Sequence, residues 1–183
     1  SKDNINKAYN LISTSKVRNE MIVDDVITCI TRKQTPVILT RFKEHAKFLY
    51  DALKGKADHV FLLYGDNSDK ENTEIRGRLK QVPGSESLVL VATGQKIGEG
   101  FDFPRLDVLM LAAPVSFEGR LEQYVGRLNR DYVGKEAVYV YDYIDSHVRY
   151  FDKMYAKRLR TYRKMGFSIW TQELQPKQII NAI

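Results

Sequence analysis

Ser87-Leu88-Val89-Leu90-Val91-Ala92-Thr93-Gly94-Gln95-Lys96-Ile97-Gly98-Glu99-Gly100-Phe101-Asp102 decides the fold class. Its first half is almost continuously apolar, as expected of a strand covered on both faces rather than one that alternates. Its second half is a glycine-rich loop leaving the strand's carboxyl end, where open α/β sheets gather their ligands. Gly94, Gly98 and Gly100 permit close backbone approach and unusual dihedrals. Thr93 can donate a hydrogen bond to a phosphate, and Asp102 supplies an acceptor suited to a hydroxyl. A glycine cluster alone would be an ordinary turn, so its neighbours must decide.

Four similar apolar runs flank this one, at Pro36–Thr40, His59–Tyr64, Val108–Ala113 and Ala137–Tyr143. Helical patterns lie between most of them. From Phe42 to Leu53, the residues Ala46, Leu49, Tyr50 and Leu53 share one face; from Asn72 to Val82, Ile75, Leu79 and Val82 do. Strands alternating with helices predict a doubly wound, mostly parallel α/β sheet. Ile22, Val26 and Ile30 are spaced as a helix before the first strand. Toward the end, Val148, Phe151, Tyr155, Leu159 and Tyr162 form an apolar stripe. Arg149, Lys153, Lys157, Arg160 and Lys164 run beside it as a basic one. Gly166 is expected to end this helix, and the segment after Gln175 is expected to be loose. The chain reads as one domain: a helical lead-in over 1–35, a core over 36–145 and a basic helical extension over 146–183.

Composition narrows the possibilities. The 183 residues suit a single domain, and 43% hydrophobic residues suffice for a packed core. No run approaches the ~20 apolar residues that cross a bilayer, so no membrane association is expected. Cys29 is the one cysteine; it cannot form an internal disulfide, fits a reducing cytoplasm, and reads as a buried structural thiol. His45, His59 and His147 are scattered without metal-ligand spacing, so no metal site is expected. The formal charge of +6 is compatible with a polyanionic partner and is weak support by itself.

A second motif follows the glycine loop by one strand: Gln123-Tyr124-Val125-Gly126-Arg127-Leu128-Asn129-Arg130. Two arginines three apart on a helical turn point to the same side, and their planar guanidinium forks match phosphate oxygens.

Together the two segments resemble motifs V and VI of superfamily-two helicases. The first is similar to strand, Ala-Thr, then Gly-x-Gly-x-Asp; the second is similar to Gln-x-x-Gly-Arg-x-x-Arg. Val37-Ile38-Leu39-Thr40-Arg41 resembles motif IV, and Phe61-Leu62-Leu63-Tyr64-Gly65 the strand-and-glycine element that follows it. The resemblance runs in order from about residue 18 to 166. It is nearest to bacterial type III restriction subunits and DEAD/DEAH-type proteins, through Gly98–Asp107, Tyr141–Asp145 and Lys157–Arg163.

The resemblance implies the C-terminal, RecA-like domain of a P-loop NTPase helicase. Arg130 would then be the arginine finger that reaches the γ-phosphate of ATP. Arg127 would lie on the phosphates beside it, and Gln123 would couple nucleotide to domain closure. Gly98, Gly100, Asp102 and Gly126 would line the nucleotide side of the cleft, with Asp102 near the ribose or the finger. Thr40, Arg41, Gly65, Thr93 and Gly94 would touch the nucleic-acid backbone. ATP and Mg2+ would be held mainly by an N-terminal RecA-like domain of the same parent protein. The track would be nucleic acid, with DNA favoured over RNA.

The parts such a first domain supplies do not occur in the sequence. There is no Gly-x-x-x-x-Gly-Lys-Ser/Thr loop, and no Asp-Glu-x-His/Asp segment; Asp24-Asp25 falls in a helical pattern. The chain is therefore expected to be a piece of a longer motor, or a subunit that borrows its other half, and to be inactive alone. The sequence leaves two other readings open. One is a non-catalytic nucleic-acid-binding module, suggested by the charge and the basic stripe. The other is an unrelated dinucleotide enzyme; there the glycines fail to follow the first strand as Gly-x-Gly-x-x-Gly, and Gln123 to Arg130 would have no role.

Overall fold

The computed structural model describes residues 2–94, 102–114, 118–172 and 177–182. Two helices open the chain, α1 (Lys2–Ser13) and α2 (Lys16–Thr31). The core follows as β1 (Pro36–Thr40), α3 (Lys43–Leu53), β2 (His59–Leu63), α4 (Asp69–Gln81) and β3 (Leu88–Thr93). It continues with β4 (Val108–Leu111), α5 (Glu118–Leu128), β5 (Tyr139–Tyr143) and α6 (Arg149–Lys164). The strands β6 (Phe167–Gln172) and β7 (Lys177–Ala182) come last.

The sheet order is β2-β3-β1-β4-β5-β7-β6. The first five strands are parallel, as the alternation of strand and helix requires, and the last two are antiparallel. Registers Ile38↔Val91 and Ile38↔Met110 put β1 at the centre of the parallel part. Because the strands share a direction, the residues that leave β1, β2 and β3 emerge along one edge.

Both faces of the sheet are covered, which is why the strands are apolar at nearly every position. Val37, Leu39, Leu90 and Leu109 pack with Leu79 of α4, and with Leu121, Val125 and Leu128 of α5. The alternate residues Ile38, Val89, Val91 and Met110 pack on the other face with Ile22, Val26 and Cys29 of α2, and with Leu49 and Leu53 of α3. Fully burying one such aliphatic side chain contributes about 1.5–3 kcal/mol. Cys29 is completely buried, as its apolar setting predicts, and burial pushes its thiol up to about 11.

The helical lead-in is fastened to the carboxyl edge by charge as well as packing. Arg18 donates to both oxygens of Asp145 at 2.9 and 3.0 Å and also to the carbonyl of Ala112. Tyr9 and Ile12 of α1 pack with Ala113, Phe151 and Met154. Arg158 of α6 donates to both oxygens of Asp142, on β5 three residues before Asp145, at 2.7 and 2.8 Å, and the Tyr162 hydroxyl adds a third bond at 2.8 Å.

The C-terminal extension is helical only as far as Lys164. Gly166, at φ +85°, turns the chain back, and the stretch expected to be loose contains β7. In β6, Phe167 is buried and Ile169 packs against the core, whereas Trp170 is 56% exposed. That two-residue alternation spells a strand. It is easily passed over after a strongly periodic helix. Among the described residues, no helix is long and apolar enough to cross a membrane.

Candidate functional site

Two ties join the glycine loop to α5. At its start, the Tyr124 hydroxyl donates to the carbonyl of Gly94 at 3.0 Å. At its end, Arg130 Nη1 donates to Asp102 Oδ1 at 3.0 Å. Tyr124 and Arg130 are six residues apart, about 9 Å along a helical axis. The two motifs that stand out in the sequence are thus clasped at two points.

Gly94 is required by the first tie. A Cβ built there would lie 2.8 Å from the Tyr124 hydroxyl oxygen, closer than real contacts allow. The Tyr124 ring is buried in the core, so the hydroxyl reaches Gly94 from a fixed position.

The second tie is more open, with side-chain exposures of 57% for Arg130 and 49% for Asp102. Lys135 holds the backbone beneath it. Its ammonium donates to the carbonyls of Arg130 at 2.8 Å and Pro104 at 3.0 Å, and to that of Leu128. All three ammonium protons are used. A cation among the last carbonyls of a helix is well placed against its dipole. Burial pulls the Lys135 pKa down, partly opposed by Asp107. Gly134, at φ +82°, makes the turn that brings Lys135 back under α5. A groove of about 820 Å³ lies alongside, lined by Arg130, Asp131, Tyr132, Lys135 and Glu136. Neither Tyr124 nor Lys135 was legible as a site residue, because a lone tyrosine or lysine has no sequence signature of its partner.

The other candidates fall as follows. Gln123 and Gly126 are exposed on α5. A Cβ on Gly126 would meet nothing within 4 Å, so nothing in the described chain requires a glycine there. Gly98 and Gly100 lie outside the described residues, as does the side chain of Arg127.

Thr40 and Thr93 are Cα partners at the ends of β1 and β3, and Gly65 is exposed beyond β2. Arg41 is exposed with its guanidinium 4.3 Å from the centroid of the Tyr9 ring. Thr40 itself is buried, and its hydroxyl hydrogen-bonds His45 Nδ1. Asn19 donates to the Ser13 carbonyl, so its oxygen accepts from His45 Nε2 at 2.8 Å. That fixes the tautomer: Nε2 carries the proton and Nδ1 accepts from Thr40. Burial, helped by the nearby Arg18 charge, lowers the His45 pKa to about 3 and keeps the imidazole neutral.

The candidates therefore form two groups. Thr40, Arg41, Gly65, Thr93 and Gly94 share the carboxyl edge of the sheet. Asp102 and Arg130 meet where α5 has run back along one face toward the amino end of β5.

This architecture is the RecA-like fold also found in solved helicase domains. The crystal structure of T4 UvsW superposes on 87% of the chain and 35% of its own, with a TM-score of 0.64 at 18% identity. Mss116p DEAD-box helicase domain 2, solved bound to an RNA duplex, matches 70% of this chain and 47% of its own, with a TM-score of 0.52 at 23% identity.

No protein-family model matches the chain. Among curated proteins, the transcript termination protein A18 of Yaba-like disease virus is 29% identical over 120 residues, covering 64% of this chain and 24% of its own. The putative helicase 161L of invertebrate iridescent virus 6 is 30% identical over 162 residues, covering 84% and 35%. The chain thus spans between about a quarter and a third of the length of the curated relatives it matches.

Proposed function

We propose that this chain is the second motor domain of an ATP-driven nucleic-acid helicase or translocase, and that Arg130 is its arginine finger. The observation that carries this reading is Arg130 itself. It is more than half exposed beside an open groove, with its side chain bonded to Asp102 and its backbone pinned by Lys135. A guanidinium kept in place yet accessible suits a phosphate brought by another domain.

Phosphoryl transfer needs positive charge on the transferring group, and a finger supplied from outside the phosphate-binding domain is worth about 10³–10⁵ in rate. ATP with Mg2+, held by an N-terminal RecA-like domain, would draw Arg130 onto its phosphates. Arg127 would reach the same phosphates, Gln123 would couple nucleotide to closure, and Gly98, Gly100, Asp102 and Gly126 would line that side of the cleft. Closure and release would then move the carboxyl edge, with Thr40, Arg41, Gly65, Thr93 and Gly94, along a nucleic-acid backbone. Thr40 would act through its backbone, since its hydroxyl is bonded to His45. The type III restriction likeness favours DNA as the track. The chain alone would turn over no ATP.

The test joins this chain to the ATP-binding domain of its parent protein and follows nucleic-acid-stimulated ATP hydrolysis. Turnover that disappears in Arg130→Ala while ATP still binds supports the assignment. Undiminished turnover in that variant removes the finger.

A further inference from the structure

Helix α6 carries Arg149, Lys153, Lys157, Arg160 and Lys164, all exposed. At 3.6 residues per turn these five fall within an arc of about 80°, and at 1.5 Å per residue they span about 22 Å. Phe151, Met154, Arg158, Thr161 and Tyr162 face the opposite way and are buried, so the helix cannot roll to hide its charges. Asp152 is the single acidic residue of the helix. Among the described residues no carboxylate forms an ion pair with Arg149, Lys153, Lys157 or Arg160; Lys164 has Glu122 at 3.5 Å. Like charges three and four residues apart disfavour a helix, and a face serving only solubility intersperses both signs.

The position of this face suggests its partner. Arg41, at the end of β1, lies over the Tyr9 ring. That ring also packs against Phe42 and, with centroids 4.8 Å apart, against Phe151 in the first turn of α6, two residues from Arg149. The first turn of α6 therefore lies one ring away from the carboxyl edge that holds Arg41, and the basic face on its outer side leads away from that edge.

We infer that the outer face of α6 is a second nucleic-acid-binding surface, which continues the track beyond the carboxyl edge and grips the sugar-phosphate backbone without regard to sequence. The inference rests on the nucleic-acid part of the proposed function and not on Arg130. Its length matches about six or seven base pairs at 3.4 Å each.

The test uses the chain itself and a fluorescent duplex of roughly 30 base pairs, titrated between about 50 and 200 mM salt. One variant replaces Arg149, Lys153, Lys157 and Arg160 by glutamine. A control makes the same change in net charge at the scattered exposed residues Lys7, Lys33, Lys56 and Lys80. The α6 variant is expected to bind at least tenfold more weakly, with a log–log salt slope shallower by about 3.6, or 0.9 per lost phosphate contact. The control is expected to keep most of its affinity and slope.

Equal losses in the two variants would reduce the effect to bulk charge and overturn the inference. So would undiminished binding by the α6 variant, or binding to phosphatidylserine vesicles with none to duplex. The pairs Arg149/Lys153 and Lys157/Arg160, changed separately, give the same readout should the fourfold variant melt early. Absence of nucleic-acid-stimulated ATP turnover in the unsubstituted joined protein would sink the motor reading and leave this result untouched.

Discussion

Arg130 and Asp102 stand 28 residues apart in sequence and 3.0 Å apart in space, an ion pair that closes the far end of the glycine loop onto the end of α5. Both side chains are about half exposed. An exposed pair of this kind is worth about 0–1 kcal/mol, because water screens it and ordering two long side chains opposes it. A triphosphate carries more charge than a carboxylate and can draw the guanidinium away at little expense.

Asp102→Asn should therefore hardly change stability, by less than about 1 kcal/mol in urea unfolding. Under the proposed function, in the chain joined to an ATP-binding domain, it should lower ATP turnover through misplacement of Arg130, and by less than Arg130→Ala. A larger loss in Asp102→Asn than in Arg130→Ala would show that the carboxylate has a role of its own.

Gly94→Ala should disturb the first tie, since the new methyl meets the Tyr124 hydroxyl at 2.8 Å. Tyr124→Phe removes that oxygen and its bond, at roughly 1 kcal/mol. The double variant should lose less than the two single losses added together, as expected of residues in contact. Strict additivity in thermal unfolding would mean that Tyr124 does not constrain Gly94.

Arg158→Met should be costly to the fold. It strands the Asp142 carboxylate, which is completely buried and, among the described residues, keeps the Tyr162 hydroxyl as its side-chain partner. Breaking a buried pair on one side destabilises by about 3–5 kcal/mol, and adding Asp142→Leu should recover much of it. Denaturant midpoints of the single and double variants check this.

Acid should weaken the fold through His45. Its folded pKa of about 3 lies below the unfolded value near 6.5, so the unfolded chain takes up the proton first. Stability is fully present above about pH 6.5 and is lost as pH falls toward 3, by up to about 4–5 kcal/mol. Asp107 acts with the opposite sign. Burial raises its folded pKa to about 6, so its contribution improves as pH falls from about 6 to 4 and masks part of the loss. His45→Gln isolates the histidine: measured against this variant, the wild-type advantage should shrink steadily below about pH 6.5. An advantage that does not change with pH would assign the acid sensitivity elsewhere.

The sequence by itself determined the parallel core and the two segments in which most of the candidate site residues lie. Continuous apolar runs such as Leu88–Ala92 require cover on both faces, and Gly94 to Asp102 must leave such a strand at its carboxyl end. Those are properties of neighbours along the chain, and periodicity reports them. Only the tertiary structure decided that Asp102 meets Arg130, that Tyr124 reaches Gly94, and that Lys135 locks the end of α5. It also decided that the Thr40 hydroxyl is taken by His45, and that the last strands extend the sheet. Each of these joins groups whose separation in space is set by packing, and packing carries no local signature along the chain.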